Sequence, residues 1–326
     1  MDKRVLIISF TTMLLLLSFL MLLLYNVRNL RRRNFGNPNM NNREKFKAIR
    51  KQRKLSLKTL GKIASSATSI SDFENGHTNL SKDVLFKLLG FMIVEINEFF
   101  EWKDFQDDDF YKIIQQIEDA LSNNDIQTLS KVKKELFELS SKKEQYIYLI
   151  ISLVLEVMIC ELQQETVRQE VILQLTDYFF SLEYWTNLDV GLFGNLVPYF
   201  TTEALLVFTN TILDNIPQSP KNNLDRIKID TVLNCLSAFI ERKEQGASQK
   251  LLCLLLQKKY PNYFLFEKLY LHELQAMYDY LWGNREKAIK THSTILETVN
   301  IILSPETMNE WDDYFKKITK QNSNLG

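Results

Sequence analysis

Residues 56–76 read SLKTLGKIASSATSISDFENG, and this stretch contains two short helical patterns separated by a polar turn. Ser56 is a good N-cap residue, so we expect a helix over residues 57–64 whose Leu60 faces inward. The hydroxyl-rich turn then leads into a second short helix over residues 67–75, which is the third helix counted from residue 43. Gly76 ends it as a C-terminal glycine. The pattern predicts two short helices held around a tight turn.

Further short helices flank this pair. Residues 43–54 predict a basic amphipathic first helix, Ser81 is expected to cap a fourth, and residues 96–100 provide a fifth apolar segment. Gly61 is expected where two helices approach too closely for a side chain. Five short helices within residues 43–100, with a polar third helix after a tight turn, are typical of a helix-turn-helix that binds DNA.

Charge is distributed unevenly along the chain. Of its 326 residues, 40 are Lys or Arg and 40 are Asp or Glu, so the formal net charge is zero. Residues 1–62 nevertheless contain 15 basic and two acidic residues, which leaves 25 basic and 38 acidic residues in residues 63–326. A basic front end suits the phosphates of nucleic acid or lipid headgroups, and an acidic body repels both.

Two motifs carry a resemblance to a known family. Leu60-Gly61 followed by ISDFENG at residues 70–76 resembles the helix-turn-helix of Cro-type repressors. The turn is one residue shorter than in most of them, and in this it is similar to the Rgg/MutR family of Gram-positive transcriptional regulators. Residues 175–195, LTDYFFSLEYWTNLDVGLFGN, resemble the helical-domain signature of that family. The resemblance covers nearly the whole chain after Met40.

The resemblance implies a sequence-specific transcription regulator that binds double-stranded DNA. Members of the family bind short, often hydrophobic, signalling peptides (quorum-sensing pheromones) in their helical body and form homodimers through the same domain. The resemblance also implies that Arg50 and Glu74 form an ion pair, which would tie the first helix to the recognition helix.

The expected DNA contacts lie on the first three helices and their caps. Side chains suited to phosphates are Lys54, Ser56, Lys58 and Asn75. The third helix is expected to offer base edges the side chains of Ser66, Thr68, Ser69 and Asp72. Asp72 stands where the family commonly has Lys or Arg, and this carboxylate predicts DNA binding that is weak or helped by dimerisation.

Helix follows helix from residue 107 onward, so the predicted fold class is all-α. Residues 107–320 predict a tetratricopeptide-like array of paired helices, whose concave groove suits an extended peptide. Most aromatic side chains of residues 178–200 are expected in its core. Cys160, Cys235 and Cys253 are widely separated, and the sequence contains no metal-ligand or catalytic motif. We therefore expect no metal, no cofactor and no enzymatic activity.

An apolar segment precedes the basic region. Residues 5–24, VLIISFTTMLLLLSFLMLLL, are long enough to span a membrane as one helix, which would make residues 1–33 an anchor with a basic flank and residues 34–42 a linker. Arginines just after the segment favour a cytoplasmic DNA-binding domain. In the alternative, translation begins at Met40, the preceding residues are not made, and the protein is cytoplasmic.

A second class of function is open at this point. Asp72 and the acidic body also fit a peptide- or protein-binding scaffold whose helix-turn-helix has lost DNA recognition. Replacing Thr68 and Ser69 by alanine distinguishes the regulator from the scaffold. Only a protein that reads DNA with this helix would lose its preference for a DNA sequence through that change.

Overall fold

The computed structural model describes residues 41–64, 66–100, 108–142 and 144–320. The chain divides into two compact units between Gln115 and Gln116, and the regular structure of the described residues is helical in both. The expected anchor (residues 1–33) and most of the expected linker (residues 34–42) lie outside the described residues.

The first unit contains the five helices that the sequence predicts. They are α1 (Asn42–Gln52), α2 (Leu57–Gly61), α3 (Ala67–Glu74), α4 (Lys82–Phe91) and α5 (Ile96–Phe99). Polar caps begin the first four, because the side chains of Asn41, Ser56, Ser66 and Ser81 accept hydrogen bonds from main-chain N–H groups of the first turn. α2 ends at Gly61, earlier than expected.

Aromatic and aliphatic side chains from all five helices form the core of this unit. Phe46 of α1 is fully buried and meets Phe73 and Phe99 edge-to-face, at centroid distances of 5.4 and 6.4 Å. Leu60 and Ile70 are also fully buried, so α2 and α3 pack on the same core. The recognition helix is therefore held by side chains on every neighbouring element.

α6 (Asp108–Ser122) spans the division between the units, and ten α-helices follow it. They are α7 (Ile126–Lys142), α8 (Tyr146–Gln163), α9 (Gln169–Phe180), α10 (Asn187–Gly194), α11 (Thr202–Asp214), α12 (Asn223–Glu241), α13 (Gln245–Leu256), α14 (Leu265–Trp282), α15 (Arg285–Ile302) and α16 (Pro305–Lys320). A short 3₁₀ helix, Val197–Tyr199, lies between α10 and α11. Sequential helices pack as pairs, most extensively α7 with α8 and α14 with α15.

One segment of this unit differs from the helical pattern that the sequence suggests. Apolar spacing predicts a helix over residues 167–184 and the next one from residue 204, but α9 ends earlier, at Phe180, and α10 (Asn187–Gly194) lies where no helix was expected. A capping box starts α10: Thr186 accepts from the N–H of Asp189, and the Asp189 carboxylate accepts from the N–H of Thr186. That pair of bonds starts a new helix within the family signature.

Within the described residues, α8 is long and apolar enough to cross a membrane, with a mean hydropathy of 1.8 over 18 residues. Of that window, 56% is buried against the rest of the protein, as expected for a core helix. Its apolar composition is accounted for by packing within the array.

Candidate DNA interface and apolar groove

α3 has one buried face and one outward face. Ile70, Phe73 and Glu74 point into the first unit and are buried. Because residues three and four positions apart share a helix face, the outward side chains form a second set. This reading face consists of Thr68, Ser71, Asp72 and Asn75, of which Thr68 and Asn75 are exposed. Hydroxyl, carboxylate and amide groups of this kind pair with base edges in a major groove.

Two of the hydroxyls expected at base edges are bonded to each other. Ser66 caps α3, its Oγ accepting from the N–H of Ser69 at 3.0 Å, and the Oγ atoms of Ser66 and Ser69 lie 2.7 Å apart. Thr68 is exposed as expected. Ser71 was missing from the expected contacts, although its spacing of three residues from Thr68 places it on the same face.

A bidentate ion pair fixes α3 to α1. Arg50 Nε donates to Glu74 Oε1 at 2.6 Å, and Arg50 Nη2 donates to Oε2 at 2.8 Å. Both residues are buried, and Arg50 Nη1 also donates to the carbonyl of Leu55 at 3.0 Å. Hydrogen bonding to Glu74 raises the pKa of Arg50 above its ordinary value. The pair implied by the family resemblance therefore holds the recognition helix in place and leaves no charge free to contact DNA.

Gly61 lies against the start of α3. A Cβ at this position would come within 2.5 Å of the main-chain nitrogen of Ala67 and 2.8 Å of the carbonyl carbon of Ser66. These are backbone atoms that cannot swing aside, so the tight turn requires glycine. At the other end of α3, Gly76 adopts a φ of +86°, which matches its expected role in ending the helix.

Exposed cations lie on the C-terminal part of α1, in α2 and just after each of these helices. They are Lys51, Arg53, Lys54, Lys58 and Lys62. Ser56, expected at a phosphate, accepts from the N–H of Thr59 at 3.0 Å and caps α2. Asn75 accepts from Lys47 Nζ at 3.4 Å, which connects the reading face to α1. The described part of this region therefore offers positive charge suited to a DNA backbone.

The second unit contains an open apolar groove of about 540 Å³ between α9 and α11. Most of the residues that line it are apolar, and Gln169, Thr201 and Glu203 are polar residues of the lining. The apolar lining residues include Val167, Ile172, Leu173, Phe180, Ala204 and Val207. A smaller cavity of about 30 Å³ lies on the other side of α11, against α13, and includes Leu206 and Leu254. Apolar lining residues thus lie on α9, α11 and α13.

A half-buried acid supports one wall of the groove. Tyr199, which lines the groove, donates its hydroxyl to Glu161 Oε1 at 2.7 Å. Burial raises the pKa of Glu161 to about 7, although the bond from Tyr199 opposes the shift. Arg242 donates to the carbonyls of Val197 and Pro198 at 3.3 and 3.1 Å and so holds the 3₁₀ helix that carries Tyr199.

Three aromatic side chains of residues 178–200 form a core next to this groove, fewer than the majority that the sequence predicts. Phe179, Phe193 and Phe200 are buried, with centroid distances of 5.5 to 5.8 Å between them. Phe180 and Tyr184 are exposed instead, and the Phe180 ring lines the groove. The Tyr178 hydroxyl donates to the buried Asp189, so the signature also carries the bonds that shape the break between α9 and α10.

The described residues contain no group of three or more His, Cys, Asp and Glu side chains that could hold a metal ion. Cys160, Cys235 and Cys253 are free thiols; Cys235 is buried, whereas Cys253 is exposed.

Comparison with solved structures shows the fold. The chain is similar to the SHP pheromone receptor Rgg2 of Streptococcus dysgalactiae, with a TM-score of 0.71 and 18% identity over 85% of this chain and 99% of that one. A transcriptional regulator from Listeria monocytogenes EGD-e gives a TM-score of 0.71 at 16% identity, over 86% and 98% of the two chains. A PrgX variant gives 0.70 at 15% identity, over 87% and 96%.

Comparison with protein families covers both units. A helix-turn-helix family matches residues 46–99, which include the C-terminal part of α1 and the whole of α2 to α5. The family described as "HTH-type transcriptional regulator Rgg, C-terminal domain" matches residues 133–312, which is more than half of the chain. The chain therefore belongs to the Rgg family of helix-turn-helix transcriptional regulators.

Proposed function

We propose that the protein regulates transcription by reading double-stranded DNA with α3, and that a short peptide bound in the groove of the second unit controls it. The reading face carries the first part of this proposal. Its polar side chains point outward while the Arg50–Glu74 pair and the buried residues of α3 fix the helix from behind. A rigid helix with such a face can enter a major groove and pair with bases.

DNA binding is tested by footprinting the purified full chain on the DNA upstream of its own gene and of neighbouring genes. The experiment is run at low and moderate salt with unrelated competitor DNA, since phosphate contacts alone give salt-sensitive binding without sequence preference. A discrete protected site that survives competitor supports the proposal. Binding that disappears with competitor contradicts a sequence-specific role.

The apolar groove supports the proposed peptide site. Leu173, Phe180 and Val207 are exposed large hydrophobic side chains, and all three line the same groove. Contiguous exposed apolar surface commonly marks a binding site, and an open groove between helices suits a short apolar peptide. The Rgg2 protein that this chain resembles is a pheromone receptor. Fluorescence anisotropy with a set of labelled short apolar peptides tests the site.

Family membership also supports a homodimer acting in the cytoplasm. Helix-turn-helix regulators commonly bind two half-sites about one helical turn apart, which a two-fold dimer matches. Sedimentation of the purified protein, alone and with its protected DNA site, tests the dimer. A membrane anchor over residues 5–24 stays a prediction, and the intact mass of the native protein tests it, since translation from Met40 removes that segment.

One observation favours a second function, that of a peptide- or protein-binding scaffold without DNA recognition. Asp72 places a carboxylate on the reading face, and α3 contains no Lys or Arg, so this face by itself repels phosphates. The footprinting experiment separates the two functions, because a scaffold protects no site at any salt concentration while it still binds peptide.

A further inference from the structure

Two carboxylates of the second unit share one guanidinium between α12 and α14. Arg226 Nε donates to Glu267 Oε1, and Asp230 follows Arg226 by one helical turn, so it lies on the same face of α12. Burial and the charge of Glu267 raise the pKa of Asp230 above its ordinary value, and the charge of Arg226 opposes this shift only in part. With both acids ionised, the cluster therefore carries one more negative charge than positive charge.

Two buried polar atoms of this cluster have no hydrogen-bond partner in the described part of the chain. They are Oε2 of Glu267, a residue that is only 1% exposed, and the hydroxyl of Tyr260, which lies just before α14. Burial raises the pKa of Tyr260, and the charge of Glu267 raises it further, as expected for a hydroxyl close to that carboxylate. Buried polar atoms are normally bonded to protein, water or a ligand, because leaving them unpaired costs free energy.

The cluster can be reached from solvent. The Arg226 side chain is 33% exposed and Asp230 is partly exposed, whereas Glu267 is buried. A group that enters here meets two carboxylates and a hydroxyl, all of which can accept hydrogen bonds. A primary ammonium carries one positive charge and three N–H donors, so it supplies the missing charge and one donor for each of these three groups.

A metal ion fits this cluster less well than an ammonium group. The described residues contain no group of three or more His, Cys, Asp and Glu side chains that could hold a metal ion. Divalent cations such as Ca²⁺ and Mg²⁺ take six or more oxygen ligands, and the cluster offers only two carboxylates and one hydroxyl.

We infer that the cluster of Arg226, Asp230, Tyr260 and Glu267 is a binding site for a primary ammonium group of a ligand. The group can belong to a lysine side chain or to the amino end of a peptide, since both offer the same chemistry. None of the four residues lines the apolar groove between α9 and α11, so this site is separate from the proposed peptide groove. The inference depends neither on that groove nor on DNA binding.

Isothermal titration calorimetry of the full chain with three hexapeptides tests the site. All three end in a C-terminal amide and consist of glycine, serine and alanine apart from one varied position. The first has a free amino end and norleucine at the varied position. The second is acetylated and has lysine there, and the third is acetylated and has norleucine. Only the third lacks an ammonium group, and the small residues that the peptides share offer the apolar groove little to bind.

At least one of the two ammonium peptides should bind the wild type about tenfold more tightly than the third peptide, because hydrogen bonds between charged groups contribute that much. The peptide that binds identifies the source of the ammonium as the amino end or the lysine side chain. Asp230→Asn should weaken this binding about tenfold. Asp214→Asn, at an exposed position of α11, and Val207→Glu, in the groove, should leave it unchanged.

A second site variant separates lost binding from lost folding. Tyr260→Phe removes a buried hydroxyl that has no partner in the described residues, so it should keep the wild-type stability in urea while it weakens binding of the ammonium peptide. The inference is wrong if neither ammonium peptide binds more tightly than the third peptide. It is also wrong if Asp230→Asn and Tyr260→Phe both bind with wild-type affinity. Either result would leave the groove and the DNA-binding function untouched.

Discussion

The Nδ1 atom of His292 lies 2.7 Å from Oε1 of Glu273, and the imidazole ring stacks on Phe315 at a centroid distance of 3.8 Å. Asp312 Oδ1 lies 3.4 Å from the other ring nitrogen, so one side chain of α15 joins α14 and α16. Glu273 is 1% exposed, and its Oε2 has no hydrogen-bond partner in the described part of the chain. His292 is therefore the counter-charge of a buried carboxylate.

This cluster predicts that stability falls as the pH rises. Burial lowers the pKa of His292, but the hydrogen bonds and charges of Glu273 and Asp312 outweigh burial and raise it above its ordinary value. A group with a raised folded-state pKa stabilises the protein fully below its unfolded pKa of about 6.5 and loses that contribution as the pH rises through the folded value. Urea denaturation from about pH 6 to about pH 9 should show this loss.

The variant His292→Gln should be less stable than the wild type at about pH 6, and the difference should shrink towards about pH 9. His272→Gln, which changes an exposed histidine on α14, should keep the wild-type profile. A constant difference between His292→Gln and the wild type across this range would show that the imidazole contributes packing and no charge.

Loss of the buried ion pair should destabilise the first unit strongly. Arg50→Met leaves Glu74 buried without its partner, which typically costs about 3–5 kcal/mol of unfolding free energy. Arg53→Met, at an exposed position just after the same helix, should change stability by less than about 0.5 kcal/mol. Thermal denaturation of both variants checks the prediction. Similar melting temperatures for the two would contradict a structural role for the pair.

Two glycines in the first unit should respond to alanine in opposite ways. Gly61→Ala puts a Cβ 2.5 Å from the nitrogen of Ala67 and should cost about 1–3 kcal/mol and reduce DNA binding. A Cβ added at Gly90, within α4, would meet no atom within 4 Å, so Gly90→Ala should stabilise the protein by about 0.5–1 kcal/mol. Chemical denaturation gives both values, and a stabilised Gly61→Ala would refute the close approach of α2 and α3.

A charge in the apolar groove should abolish peptide binding without unfolding the array. Val207 lines the groove and is 50% exposed, so Val207→Glu should cost little stability. Ile289 is 53% exposed on α15 and does not line that groove, which makes Ile289→Glu a matched control. Anisotropy with the labelled apolar peptides should show lost binding only for Val207→Glu. Equal affinities for the two variants would place the peptide elsewhere.

Local sequence signals predicted the first unit well. Ser56 and Gly76 start and end helices through bonds and φ angles within a few residues of themselves, and Gly61 lies beside the motif whose geometry requires it. It was harder to predict which hydroxyl groups of α3 face outward, because Ser69 and Ser71 have the same side chain. Their roles differ only through the Ser66 cap, which engages the hydroxyl of Ser69.

The sequence patterns did not predict polar contacts between residues on different helices. His292 looks isolated in the sequence, since its partners Glu273 and Asp312 are 19 and 20 residues away on other helices. The short helix α10 was not predicted, and the capping box of Thr186 and Asp189 sets its start. Periodicity predicts which faces are buried, but it does not predict which polar groups meet across helices.

Footprinting of the wild type beside the Thr68→Ala/Ser71→Ala variant tests the central claim, that the outward face of α3 reads DNA, most directly. The double variant removes two hydroxyls from the reading face and leaves the Ser66 cap and the Arg50–Glu74 pair intact. Ser293→Ala/Thr294→Ala, on exposed positions of α15, is the control. We predict that the wild type and the control protect one discrete site, and that the reading-face variant loses it while keeping salt-sensitive, non-specific binding. Unchanged protection by the reading-face variant would contradict the claim.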